Sequence, residues 1–279
     1  MTFSLAGKPK ERKLEYISDS NLTDEIILEK YEHGYSRVRY KGGSFFVNMD
    51  DEYEQYRVQE AIGVPNYKWF RETTGNHNWV LFNPKQYNVE YNSENRFILK
   101  FNAHDYDGLP LQLPINASSC CSMFSWLTLP EDFVLHRNFV LDNIVDASMM
   151  FAGCVFSANF EFDFDTTNLY NMRYMFFQCK FGRKDFLKKL NTTNAVNLAY
   201  MFGEAELPNG FEVDIDTTNV QNMTKMFFNT IFNGKSTFGD KFNVTGRVTA
   251  DNLFQGATLN GKELSNYTVP KALEMLAEG

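Results

Sequence analysis

The chain has 279 residues, 43% of them apolar, so it can bury one elongated core or two modest ones and is not disordered throughout. Acidic side chains outnumber basic ones by 35 to 27, a formal charge of −8 that disfavours nucleic acid as a partner. The 27 Phe and 11 Met beside only 8 Pro point to a core assembled by stacking like on like.

Taken in chain order, the first feature is a basic cluster, Lys8, Lys10, Arg12 and Lys13, read as a solvated chain end. No apolar h-region comes after it and no run of ~18 apolar residues occurs, so the sequence predicts neither a secretion signal nor a membrane span. The expected compartment is the cytoplasm, with a virion as the alternative. In a reducing setting Cys120, Cys121, Cys154 and Cys179 read as free thiols. Leu22 to Tyr31 reads as a helix. Tyr35 to Tyr40, Gly42-Gly43 and Ser44 to Val47 read as a hairpin with a glycine turn, ahead of acidic residues around Asp50 to Glu54. Residues 1–88 are therefore expected to form a small α+β domain that covers one end of the C-terminal part of the chain or binds on its own. Near its end, Trp69, Phe70, Arg71, His77 and Trp79 have the makeup of an interface hot spot and are the candidate partner-binding residues, although rings of this kind are more often core.

Residues 89–115 are ambiguous, and Arg96 to Phe101 could form a first irregular coil. His104-Asp-Tyr-Asp-Gly108 has metal-like composition but lacks the spaced oxygens and closing Glu of a calcium loop, so it reads as a polar turn. Beyond it the chain repeats. Met-Phe recurs at Phe124, Phe151, Phe176, Phe202 and Phe227, and once more as Leu-Phe at Phe254, in steps of 27, 25, 26, 25 and 27 residues. Five residues before each Phe stand Ser119, Asp146, Asn171, Asn197, Asn222 and Thr249, all preferred helix caps, and the apolar offsets around the Phe fit one face of a short helix. Eight residues before it stand Asn116, Asn143, Asn168, Asn194 and Asn219, a ladder that would satisfy backbone groups at the bends. Phe160 to Phe164 and Phe211 to Ile215 alternate as half-buried strands do. The predicted unit is strand, bend, capped helix and loop over residues 89–264. A helix with Pro270 near its start, inside 265–279, is the expected C-terminal cap.

The consensus FxFDTTNxxNMxxMFxxC, clearest from Phe162 to Cys179 and from Val213 to Thr230, resembles the BspA-type repeat of the leucine-rich-repeat superfamily. The resemblance covers about residues 110–258. It implies a β/α solenoid of about six repeats and a role in attachment or protein contact without catalysis. Bacterial surface proteins, mycoplasmas and mobile or viral genomes carry such repeats.

Chemistry is otherwise sparse. No glycine-rich phosphate loop, Cys-x-x-Cys pair or His-Glu-x-x-His occurs, and no Ser or Cys partner is indicated for His33, His77, His104 or His136. No catalytic residue, metal or cofactor is assigned. The expectation is a non-enzymatic module that binds a protein partner, such as a phage- or mobile-element-encoded inhibitor or adaptor acting on a host protein. The competing expectation is a structural subunit of a virion or surface assembly.

Overall fold

The computed structural model describes residues 16–18, 27–30, 35–41, 43–106, 110–129, 141, 143–244 and 252–279. The chain has mixed α+β character and divides into two units, Met1–Trp69 and Phe70–Gly279, so the expected boundary after residue 88 falls inside the second. The basic cluster at Lys8 to Lys13, together with His33, His136 and Thr249, lies outside the described residues.

In the first unit, strands β1 (Tyr16–Ser18), β2 (Ile27–Lys30), β3 (Tyr35–Tyr40) and β4 (Gly43–Asn48) make an antiparallel sheet in the order β1-β4-β3-β2. The helix expected over Leu22 to Tyr31 is not formed where the chain is described. Ile27–Lys30 is an edge strand paired from Ile27↔Arg39 to Lys30↔Ser36, because cross-strand pairing outweighs a weak local helix preference. The hairpin β3–β4 closes at Tyr40↔Gly43. The acidic residues after it start helix α1 (Glu52–Ala61): Asp51 caps it by accepting from the amides of Tyr53 and Glu54, and Glu52 and Glu54 face the positive end of its dipole.

In the second unit the strand Trp79–Phe82 precedes a hairpin of Tyr87–Tyr91 and Phe97–Phe101, in register from Tyr87↔Phe101 to Tyr91↔Phe97. This hairpin, not a coil, covers the first repeat. The Phe101 amide donates to the Met123 carbonyl at 2.9 Å, and the ring of Phe101 lies 5.7 Å from that of Phe124. Beyond it the repeats stack in register. The Phe column runs through successive ring pairs at 5.3, 6.0, 5.7, 5.6 and 5.3 Å, with interplanar angles of 8° to 21°, and every ring from Phe124 to Phe254 is buried. Offset stacking at this spacing adds ~0.5–1.5 kcal/mol per pair to the burial of each ring.

Among the described residues the capped helix expected in each repeat is absent. The only helices among the described residues are α1 and the C-terminal α2 (Val269–Glu278), and the segment around each Met-Phe is a spiral of tight turns. Its backbone accounting explains why. In the second repeat the amides of Met150, Ala152 and Cys154 donate three residues back, to Ala147, Met149 and Phe151. The alternate amides of Ala147, Met149, Phe151 and Gly153 donate instead to the carbonyls of Asn171, Arg173, Met175 and Phe177 in the next repeat. Half of the peptide groups thus hold the turn and half hold the stack, which an α-helix cannot do because it satisfies its interior amides internally.

Two left-handed residues four apart make the spiral possible. They are Ser122 and Trp126, Met149 and Gly153, Tyr174 and Gln178, Tyr200 and Glu204, Lys225 and Asn229, and Asn252 and Gly256, with φ between 52° and 75°. Away from glycine each such residue costs roughly 1–2 kcal/mol, which the cross-repeat hydrogen bonds offset. The residues read as helix caps do accept amides, but as Asx-type turns. Asp146, Asn171, Asn197 and Asn222 each accept from the amide two residues on, at 3.0 to 3.3 Å, while Ser119 through Asn222 are linked by parallel bridges.

A short strand succeeds each spiral from the second on: Val155–Phe156, Lys180–Phe181, Glu206–Leu207, Ile231–Phe232 and Thr258–Leu259, paired in parallel. The sheet ends where Lys262–Glu263 turns back antiparallel on Thr258–Leu259. Phe211–Val213 forms the strand expected there, paired with Ser236–Phe238. Phe160 to Phe164 keeps the alternation of buried and exposed side chains but joins no sheet. Helix α2, with Thr268 at its start, Pro270 in its first turn, and Ala272 and Leu276 buried, packs beside Ser236–Phe238.

The recurrent Thr-Thr-Asn bends hide a second fastening. Thr166, Thr192 and Thr217 are buried, and each hydroxyl bridges to the next repeat. Thr192 Oγ1 donates to the Asp216 carbonyl and accepts from the Asp216 amide, both at 2.9 Å. Thr166 does the same with Asn191, at 2.8 and 2.7 Å, and Thr217 with Asn243, donating to its carbonyl at 2.8 Å and accepting from its amide at 2.7 Å. Each buried hydroxyl thus pairs with one backbone donor and one backbone acceptor of the next repeat.

Candidate interaction site

From the third repeat on, the first left-handed residue of each spiral, Tyr174, Tyr200, Lys225 and Asn252, carries a side chain at least partly open to solvent, whereas its counterparts Ser122 and Met149 are buried. In the middle repeats this column is aromatic. Tyr174 lies flat on Tyr200 with centroids 4.6 Å apart and 9° between planes. Phe177 meets the edge of Tyr174 at 5.3 Å, and Phe228 that of Tyr200 at 5.7 Å. Cations flank the row: Arg173 sits 5.3 Å from the Tyr174 ring, and Lys225 sits 5.7 Å from Tyr200 and 5.1 Å from Phe228. All four rings are half-buried. Burial, helped by the neighbouring Tyr200, raises the pKa of the Tyr174 phenol. These rings stand two residues before or one after the repeat Phe, so their positions are legible in the repeat alignment itself, unlike those of Trp69 and Trp79, which lie outside the repeats.

The residues selected from the sequence are placed differently. Trp69 belongs to the first unit, half-buried, with an indole Nε1 that is buried without a hydrogen-bond partner. Phe70, Arg71, His77 and Trp79 belong to the second. Phe70 packs against the core, Trp79 is half-buried with its carbonyl accepting from Asn116 Nδ2 at 2.9 Å, and Arg71 and His77 are exposed. Of the ladder asparagines, Asn194 and Asn219 are exposed and donate to the carbonyls of Thr167 and Thr193, at 2.8 and 2.7 Å. Asn143 and Asn168 are exposed as well.

The thiols are committed to the stack. Cys154 Sγ donates to the Phe124 carbonyl at 3.2 Å and Cys179 Sγ to that of Phe151 at 3.0 Å, the same task that Thr230 Oγ1 performs on Phe202 at 2.7 Å. Burial pushes the Cys154 thiol up to about 12 and raises those of Cys120, Cys121 and Cys179. His104 is exposed and pairs with Asp105 at 2.7 Å. Glu72 is buried and accepts from the Ser118 amide and hydroxyl and from the Ser119 amide, closing the open end of the first turn spiral. Among the described residues no group of three His, Cys, Asp or Glu side chains is placed to hold a metal, and no helix is long and apolar enough to cross a membrane.

No curated protein and no solved structure matches the chain. A family model described as "Mycoplasma protein of unknown function, DUF285" matches residues 121–238 and, overlapping these, 145–267. Those residues carry the turn spirals, the Phe column and the aromatic row. Because the matches together span more than half of its length, the chain belongs to this family.

Proposed function

We propose that the protein is a non-catalytic interaction module whose repeats form a BspA-like, leucine-rich-repeat-type solenoid and whose turn face engages a protein partner. The row Tyr174, Phe177, Tyr200 and Phe228 supports this reading. It joins large flat rings across three repeats, leaves them half open to solvent, and sets Arg173 and Lys225 against their faces. Tyr and Arg are, with Trp, the residues enriched where binding energy concentrates at protein interfaces, Tyr because its flat ring buries much area with few rotatable bonds and Arg because its guanidinium makes several directed contacts. An inhibitor or adaptor acting on a host protein fits this chemistry.

The test is affinity for whatever protein is purified with the chain from its native cell. Tyr200→Ala should weaken that complex by at least ~2 kcal/mol, about thirtyfold in Kd, while the repeats stay folded. An unchanged affinity for both Tyr200→Ala and Tyr174→Ala would remove the row from the binding site. Self-association that is lost in the same variants would favour the structural-subunit reading instead.

A further inference from the structure

Trp126 departs from its own column. The second left-handed position of the later repeats is Gly153, Gln178, Glu204, Asn229 and Gly256, small or polar in every case. In the first repeat it is a tryptophan, held at φ 60° and 56% exposed. Tyr174 and Tyr200 take the same backbone at the other left-handed position, so what sets Trp126 apart is a large apolar ring left exposed where the later repeats carry small or polar side chains. Its indole lies on the backbone of Gly153, where a Cβ would collide with it, so one ring face is backed by the protein. The same side chain lines a cleft of about 440 Å³ between the Tyr87–Phe101 hairpin and the first turn spiral. That volume falls in the ~300–1,000 Å³ range of small-molecule sites.

The rest of the lining selects the ligand. The acidic and basic residues on it, among those described, are Glu90, Lys100 and His104. The ammonium of Lys100 is buried and already donates to the Ser122 carbonyl at 3.3 Å, to Ser125 Oγ at 2.8 Å and to the Ser125 carbonyl. It has no donor left for an anion. Glu90 offsets its charge, so the cleft does not favour ions of either sign. By contrast Asn88 and Glu90, on the same face of the hairpin as Lys100, are exposed on the cleft and make no side-chain hydrogen bond among the described residues. A flat, electron-rich ring face beside an amide and a carboxylate suits a ring that presents C–H groups on one face and hydroxyls around its edge. From this geometry we infer that the cleft binds a small neutral carbohydrate, its pyranose ring stacked on Trp126 and its hydroxyls bonded to Asn88 and Glu90. The inference goes beyond the protein-binding reading and uses none of the aromatic row.

The experiment titrates the full chain with glucose, galactose, mannose, N-acetylglucosamine and their β-linked dimers, using calorimetry and saturation-transfer NMR. At least one should bind saturably, with transfer strongest on the C–H protons of one ring face. Trp126→Asn places at this position the residue the fold uses at Asn229, so the variant should keep or raise its Tm while losing binding by about tenfold or more. Glu90→Gln should weaken binding less. Three results would each overturn the inference: no sugar of the panel binds the intact protein, Trp126→Asn binds as well as the parent, or glucose 6-phosphate or glucosamine binds more tightly than glucose.

Discussion

Replacing Thr192 by Val keeps the shape of the side chain and removes one oxygen. That oxygen is buried, donates to the Asp216 carbonyl and accepts from the Asp216 amide, both at 2.9 Å. Each bond contributes ~0.5–1.5 kcal/mol net, and the Asp216 amide, left without an acceptor, adds a desolvation penalty of the same order. The expected loss is about 1.5–3 kcal/mol, or roughly 4–10 °C in Tm for a domain of this size. Guanidinium titration monitored by far-UV circular dichroism measures it. The neighbouring Thr193, exposed in the same bend, is the control, and its valine variant should stay within ~0.5 kcal/mol of the parent. If Thr192→Val were equally mild, the hydroxyl would not be fastening one repeat to the next, and the reading of the bends would fail.

Glu72→Ala should cost about 2–4 kcal/mol in the same titration, because it strips the acceptors from the buried amides of Ser118 and Ser119; a loss below ~1 kcal/mol would mean that another group closes the first spiral. The buried thiols predict a stability that declines in alkali. Cys154 titrates near 9.0 when exposed and at about 12 when folded, so above pH 9 the unfolded chain sheds a proton that the folded chain keeps. Stability then falls by up to ~1.4 kcal/mol per pH unit for this thiol until about pH 12, and Cys154→Ala, which installs the residue found at Ala205, should flatten the slope measured from pH 9 upward.

The repeat period was legible because side chains that stack directly must match. The Met-Phe column and the aromatic character of the core both derive from that rule, and the C-terminal helix is readable from its Pro270 start and amphipathic run. What the sequence hid is the backbone path inside each unit. Asp146 or Asn171 three residues before Met149 or Tyr174 looks like a helix cap, since an Asx side chain accepts an amide equally well in a tight turn. Only the destination of the alternate amides, into the next repeat, separates the two structures, and that destination is not a local property. Nor could the strand at Ile27–Lys30 be told from a helix until its partner Arg39 was known. The site suffered from a different ambiguity. Trp69 and Trp79 stood out by residue type, whereas Tyr174 and Tyr200 looked like ordinary variation in a repeat until their rings were seen to stack.

The register of the stack can be tested most directly with paired cysteines. Val155 and Lys180 are exposed aligned partners on adjacent parallel strands, and neighbouring strands lie ~4.8 Å apart, close enough for a disulfide. The double variant Val155→Cys with Lys180→Cys should form that bond under mild oxidation. Val155→Cys with Glu206→Cys, one strand further on, should remain reduced. Equal cross-linking of both pairs, or a reduced first pair beside an oxidised second, would contradict a stack in which each repeat of about twenty-six residues rests on the next.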